Sequence, residues 1–229
     1  MKRRIQIDSA MLFIVILGTA VLFNFRKIYL SNEFLDNILD FFGLMLILDG
    51  QLLRMTARGH KKKFSDQGQQ LVTTGPYGLV RNPMYLGSFL VGAGFILILW
   101  PWWIFPIFTI LFWERFSHEM NKEETLLFEK FGGVYKIYSQ RVPRLFPSLL
   151  KWKEVIKFKI AFKKTFNWQE ALSTKEKRGL WLWLSLVFIF DLLQEWSIYG
   201  QMHFGLNITV FISSISMYAV ICAIIVKKI

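Results

Sequence analysis

The feature that most constrains this chain is a stretch without charge. Residues 82–113 are 32 consecutive positions lacking Asp, Glu, Lys and Arg. As one straight α-helix the run would extend roughly 48 Å, well past the ~30 Å hydrocarbon core of a bilayer. It is interrupted at Trp100-Pro101-Trp102-Trp103. Proline ends a helix, and tryptophan suits a membrane–water interface. The expectation is an apolar helical hairpin whose two open ends face the same side. Polar motifs stand at both ends, so the hairpin should bring them together.

Composition argues the same way. The chain has 229 residues, 54% of them hydrophobic, with nine Trp, which is too apolar for an ordinary soluble domain. Apolar runs place six spans near 8–25, 34–53, 83–100, 102–117, 179–199 and 204–226. The expected class is therefore all-α, a polytopic integral membrane protein. Sorted by this topology, the 28 Lys and Arg divide 26 against two, with only Arg26 and Lys27 on the minority side. That asymmetry puts both termini, both large loops and the site between them in the cytoplasm. The net charge of +12 then reads as topology and attraction to anionic headgroups, not as a nucleic-acid footprint. Cys222 is the only cysteine, which excludes an intrachain disulfide and a Cys-rich metal site. His60, His118 and His203 are scattered, and no zinc site is expected.

The first apolar segment is expected to be a retained anchor, because the uncharged run continues from Ser9 to Phe25. Asp36, Asp40 and Asp49 on the second span suit interface positions and helix packing. Residues 54–70 read as a polar cytoplasmic loop, with Lys61–Lys63 anchoring topology or touching anionic lipid. Residues 151–178 read as a basic helix lying on the inner leaflet. Asp191 and Glu195 stand one turn apart on the fifth span, equally suited to helix packing, a partner or a substrate. Ser213, Ser214 and Ser216 serve helix contacts in the sixth. The division is a membrane core at 1–150 with its motifs at 69–147, the interfacial helix at 151–178 and a C-terminal transmembrane hairpin at 179–229.

The motifs themselves carry chemistry. Pro83 suits the first position of a helix and Asn82 its N-cap. With Arg81, the helix-start amides make a site for an anion. Gly75-Pro76-Tyr77-Gly78 is a tight turn just before. Beyond the hairpin, Glu119 and Glu123 share one helical face with Glu124 beside them. Met120, Leu127 and Phe131 form an apolar stripe, and Gly132-Gly133 should end that helix. Each piece has an ordinary structural explanation: a capped helix, a wet helix face. Joined by a hairpin, an anion cup, an acidic pair and aromatics suit a zwitterionic cofactor with an added positive centre.

The pieces occur in an ordered set: LVTTGPY at 71–77, R-x-P-x-Y-x-G at 81–87, Glu123-Glu124, Phe131-Gly132, Tyr135-x-x-Tyr138 and Arg141-Val142-Pro143. Over these 77 positions, a third of the chain, it resembles the isoprenylcysteine carboxyl methyltransferase family and its phospholipid methyltransferase relatives. The resemblance implies a multispan helical enzyme that uses S-adenosylmethionine in a cytoplasmic pocket open to lipid. It implies a cofactor site at Gln69, Gln70, Leu71, Val72, Tyr77, Arg81, Asn82, Pro83, Met84, Tyr85, Glu123 and Glu124. In that site Arg81 and the amides near Asn82 would take the methionine carboxylate, and Tyr77 and Tyr85 would pack the adenosine or sulfonium. Glu119, Arg115 and Arg141 are the candidate catalytic residues, Glu119 as general base toward an amine or hydroxyl.

Two positions depart from the family's pattern. Asn82 stands where His is common, and Glu119 where carboxyl-methylating members place an Arg. The second weakens a prenylcysteine carboxylate as acceptor and leaves an amine, phenol or other lipid nucleophile open. The expected partners are a lipophilic or lipidated acceptor and membrane lipids. Two alternatives stand beside the methyltransferase: a sterol-reductase-like NADPH enzyme, and a non-catalytic membrane assembly protein.

Overall fold

The computed structural model describes residues 33–147, 171–174, 176–199 and a few positions between 208 and 216. The expected anchor at 8–25, most of the interfacial helix at 151–178, most of the sixth span, His203 and Cys222 lie outside the described residues. Among the described residues all regular structure is helical. The chain forms α1 (Glu33–Phe64), a 3₁₀ turn (Asp66–Gly68), α2 (Pro76–Leu79), α3 (Pro83–Leu99), α4 (Ile104–Arg141) and α5 (Lys177–Tyr199).

The hairpin is there. Trp100 leaves α3 with extended backbone (φ −128°, ψ 152°). The Ile104 N–H then bonds the Pro101 carbonyl at 2.9 Å to start α4. Among the described residues no helix is long and apolar enough to cross a membrane. The 17 residues of α3 rise about 25 Å, short of a ~30 Å core.

Three local expectations change. Residues 54–64 are not loop: α1 runs unbroken to Phe64. Lys and Arg are good helix formers, no proline or glycine intervenes before Phe64 apart from Gly59, and Lys61, Lys62 and Lys63 occupy the last turn, where the helix dipole favours cations. The chain turns only at Asp66, Gln67 and Gly68, all with positive φ. Gly132-Gly133 kinks α4 instead of ending it: Gly132 takes φ 52°, ψ −122°, and the helix resumes to Arg141. The expected turn at 75–78 is a single helical turn, α2, with Gly75 before it at φ 59°.

Packing is organised by α1 against α3. The two helices run antiparallel and meet at two reciprocal glycine notches, Gly43 against Gly94 and Gly50 against Gly87. A Cβ on Gly50 would lie 2.5 Å from the Gly87 carbonyl oxygen, and one on Gly87 2.6 Å from that of Gly50. Backbone therefore touches backbone at both levels, the close approach small residues permit. Leu44, Ile47, Leu48, Ile98 and Leu99 fill the seam, and Val187 of α5 closes it. A second cluster, Val80, Leu86, Phe89, Ala93, Phe112, Met120 and Leu145, holds the hairpin together. Phe89 is its centre, with the rings of Phe112 and Phe146 edge-on at 5.1 Å each. Met120 falls in this core as expected of the apolar stripe.

Candidate functional site

A cavity of about 350 Å³ opens where the end of α1, the 70–72 segment, α2, the start of α3 and the second half of α4 converge. Its size is that of a small-molecule site, ~300–1,000 Å³. Lys61 of α1, with Ser65 and Gly68 just beyond it, forms one wall; Gln70, Leu71, Val72 and Tyr77 form the next. Arg81 and Asn82 close the base at the α3 start, and Glu123, Leu126, Leu127, Lys130, Phe131, Tyr135 and Tyr138 of α4 complete it.

Why these segments meet is visible in the backbone. The Gly132 kink turns the end of α4 back, and the chain beyond it pairs with the segment before α3. The Arg81 N–H donates to the Pro143 carbonyl at 2.8 Å, and the Asn82 N–H to that of Arg144 at 3.1 Å. Tyr138 donates its hydroxyl to the Tyr77 carbonyl at 2.7 Å. On the far side the buried His60 contacts the Thr74 hydroxyl at 3.0 Å and lies under Gly75, where a Cβ would come within 2.8 Å of the ring.

Glu124 is the joint of this arrangement. It accepts 2.8 Å from the Asn82 amide, pairs with Arg81 Nη1 at 3.3 Å and lies 3.4 Å from Arg144 Nε. All three charged side chains are mostly buried, at 17%, 16% and 23% exposure for Glu124, Arg81 and Arg144. Arg144 reaches further, to the Ser117 carbonyl at 3.1 Å and the Asn121 side chain, with its guanidinium 5.9 Å from the Trp113 ring. One carboxylate thus fastens α4 to the α3 start and to the returning chain.

The expected site residues divide accordingly. Gln70, Leu71, Val72, Tyr77, Arg81, Asn82 and Glu123 line the cavity. Gln69, Pro83, Met84, Tyr85 and Glu124 do not line it. Tyr85 donates to Glu123 at 2.9 Å and meets Phe116 edge-on at 5.6 Å, so it positions Glu123 instead of facing a ligand. Asn82 begins α3 but makes no side-chain cap; its amide is spent on Glu124 and the Arg144 carbonyl. Arg81 faces the cavity with its charge shared with Glu124, which makes the anion cup weaker than a free arginine.

The three candidate catalytic residues are not brought to the cavity. Glu119 sits 3.7 Å from Lys122 on its own helix, Arg115 lies 5.5 Å from the Phe116 ring, and Arg141 is exposed at the end of α4. The reason is axial position: the cavity begins at Glu123, and Glu119 is a full turn nearer the hairpin tip. The sequence reading missed Lys61, Ser65 and Lys130. Lys61 was hidden because residues 54–70 were read as loop; a continued helix would have put it three residues beyond Arg58 on the inward face.

Burial shapes the phenols. Desolvation, then the Glu123 charge, pushes Tyr77 above the ordinary 10.0, with Arg58 opposing. Desolvation, then Tyr135 and Tyr77, raises Tyr138. Tyr135, 4% exposed, is raised by desolvation and by Glu124. All three stay neutral donors at physiological pH. Because the folded pKa values exceed the unfolded one, the stability these phenols contribute is fully present below pH ~10 and is lost as pH rises above it. The unfolding midpoint is expected to fall steadily past pH 10, and Tyr135→Phe to make that alkaline limb shallower; an identical limb in the variant would contradict the assignment.

The phospholipid methyltransferase family model matches residues 38–133, from α1 through the cavity wall to the α4 kink. The Schizosaccharomyces pombe protein-S-isoprenylcysteine O-methyltransferase is 35% identical over 77 residues, 34% of this chain and 33% of that protein. Protein-S-isoprenylcysteine O-methyltransferase B of Arabidopsis thaliana is 33% identical over 110 residues, 44% of this chain and 56% of its own. The mouse (Mus musculus) Delta(14)-sterol reductase is 30% identical over 82 residues, 35% of this chain and 20% of that protein. The chain thus spans between a fifth and about half of these relatives' lengths. No solved structure gives a match. The matched segment contains every cavity residue except Tyr135 and Tyr138, and it ends before Arg144 and α5.

Proposed function

We propose that the chain is a membrane-embedded methyltransferase that moves a methyl group from S-adenosylmethionine to a lipophilic acceptor. The observation that carries the reading is the cavity: its lining is zwitterionic and aromatic, and it is built from the segments that define the family core. Glu123 supplies negative charge, Lys61, Lys130 and Arg81 positive charge, and Tyr77, Phe131, Tyr135 and Tyr138 ring faces. At this wall the buried Arg81 side chain and the Tyr135 hydroxyl interact with each other, short of full hydrogen-bond geometry.

When bound, the cofactor supplies an electrophilic methyl on a cationic sulfur. Arg81 and Lys130 suit its carboxylate, Glu123 its ammonium or ribose hydroxyls, and Tyr77 and Phe131 its ring or sulfonium. Tyr85 keeps Glu123 aimed inward. A dry, aligned cavity is what methyl transfer from a sulfonium requires, since the reaction discharges rather than creates charge.

The membrane reading rests on the outer surface. Trp102, Ile107, Ile110 and Leu111 on the hairpin and its tip, and Trp181, Leu182, Ile189 and Trp196 on α5, all point outward at 49–73% exposure. A surface this apolar suits lipid. With six spans, both termini and the cavity would lie on the cytoplasmic side.

Binding of tritiated S-adenosylmethionine to the detergent-purified protein tests the proposal, with reporters fused to either end for topology. Glu123→Ala is expected to weaken binding about 10–100-fold, the worth of a charged hydrogen bond. No binding by the wild type, or equal binding by both, would sink the cofactor assignment; a terminus reporting from the outer side would sink the topology. The sterol-reductase similarity favours NADPH as the comparison ligand, and the same assay with NADPH in competition decides between them.

A further inference from the structure

Outside the cavity, a second polar cluster joins α1 to the start of α5. Arg54 donates from Nε and Nη2 to Glu176 Oε2 at 3.1 and 2.9 Å, and Arg58 pairs with Oε1 of the same carboxylate. Arg54 Nη1 donates to the Ser88 hydroxyl of α3. Two guanidinium groups and a hydroxyl-anchored fork surround one carboxylate, the geometry by which arginine recognises an oxyanion. Glu176 itself is 12% exposed.

Two placements make this more than a helix clasp. First, Arg54, Arg58 and Lys61 recur at spacings of four and three, so they share one face of α1, and Ser65 follows at the helix end. Lys61 and Ser65 line the cavity, and Arg58 lies three residues before Lys61, roughly 4.5 Å along the axis. Second, Arg54, Arg58 and Ser88 fall inside the family core at 38–133, whereas Glu176 comes from outside it. The seat belongs to the methyltransferase core, and an accessory segment fills it.

Resting on the methyltransferase reading, we propose that Arg54 and Arg58 form the acceptor's oxyanion seat and that Glu176 is an intramolecular stand-in which the acceptor displaces. A carboxylate held there would itself be the nucleophile near the Lys61–Tyr77 wall of the cavity, and a phosphate would bring its lipid's amine to that wall. The seat answers the missing arginine at Glu119: positive charge reaches the acceptor from α1 instead of α4. The chemistry is shared by a prenylcysteine carboxylate and a phospholipid phosphate.

The test compares binding to the full-length protein in nanodiscs. N-acetyl-S-farnesylcysteine is measured against its methyl ester, and phosphatidylethanolamine against diacylglycerol. The oxyanion-bearing member of one pair is expected to bind at least tenfold more tightly, which also identifies the source. Glu176→Gln should raise that preference threefold or more, and Arg58→Gln should reduce it to twofold or less. Arg58 is half-exposed, so its variant is expected to fold even if Glu176→Gln does not. No preference for either anion, or a preference that Arg58→Gln leaves intact, overturns the seat and leaves Glu176 as a clasp. S-adenosylmethionine binding is measured on the same samples. Its presence without anion preference removes this inference alone, and its absence removes the methyltransferase reading.

Discussion

Replacing Glu124 by alanine is expected to cost about 3–5 kcal/mol of folding stability, the usual penalty for removing one partner of a buried ion pair. Arg81 and Arg144 lose their shared counter-charge, and both are mostly buried. The Asn82 amide loses its 2.8 Å acceptor. Since Arg81 and Asn82 also line the cavity, ligand affinity should fall with stability. Glu124→Gln keeps one acceptor and should lie between alanine and wild type. Denaturant unfolding gives the values directly. A Glu124→Ala midpoint within about 1 kcal/mol of wild type would mean the carboxylate is not the joint described here, because unpaired buried guanidinium groups are not that cheap.

The second large effect lies at the α1–α3 seam. Gly50→Val is expected to destabilise by about 3 kcal/mol, the upper part of the usual overpacking range. Its Cβ would lie 2.5 Å from the Gly87 carbonyl oxygen and 2.9 Å from the Val91 nitrogen, and neither is a side chain that can swing away. The helices must separate, which would loosen Leu44, Ile47, Leu48 and Ile98 together. Gly133→Ala is the matched control: no atom lies within 4 Å of its would-be Cβ, and its φ is not in the left-handed region. It should be neutral or gain up to about 1 kcal/mol from lost unfolded-state freedom. If both substitutions behave alike in thermal unfolding, the seam is not a close backbone contact.

Much of this architecture is written in local chemistry. The uncharged run, its Trp-Pro break and Pro83 at a helix start each act through the backbone at one place, so the hairpin and the first residue of α3 were readable directly. The motif order along 71–87 and 123–143 likewise pointed to the right segments, since they do converge. Where the reading failed, the cause was a property of neighbours far away in sequence. Residues 54–64 carry good helix formers, so their helix was legible locally; that α1 runs beneath the cavity and beside Glu176 was not.

Two glutamates side by side make the point most clearly. Nothing in the sequence separates Glu123 from Glu124, yet successive helical residues point about 100° apart. The fold turns one into the cavity beside Tyr85 and the other into a cage of Arg81, Asn82 and Arg144. Glu119 shares their helix and its charge, but it lies a turn outside the cavity's reach. The sequence by itself determined where the hairpin bends, where α3 starts and which chemical groups are available. The tertiary structure decided which of those groups face a ligand, because that depends on how α4 is rotated and kinked against α1 and α3, and no local propensity encodes a rotation.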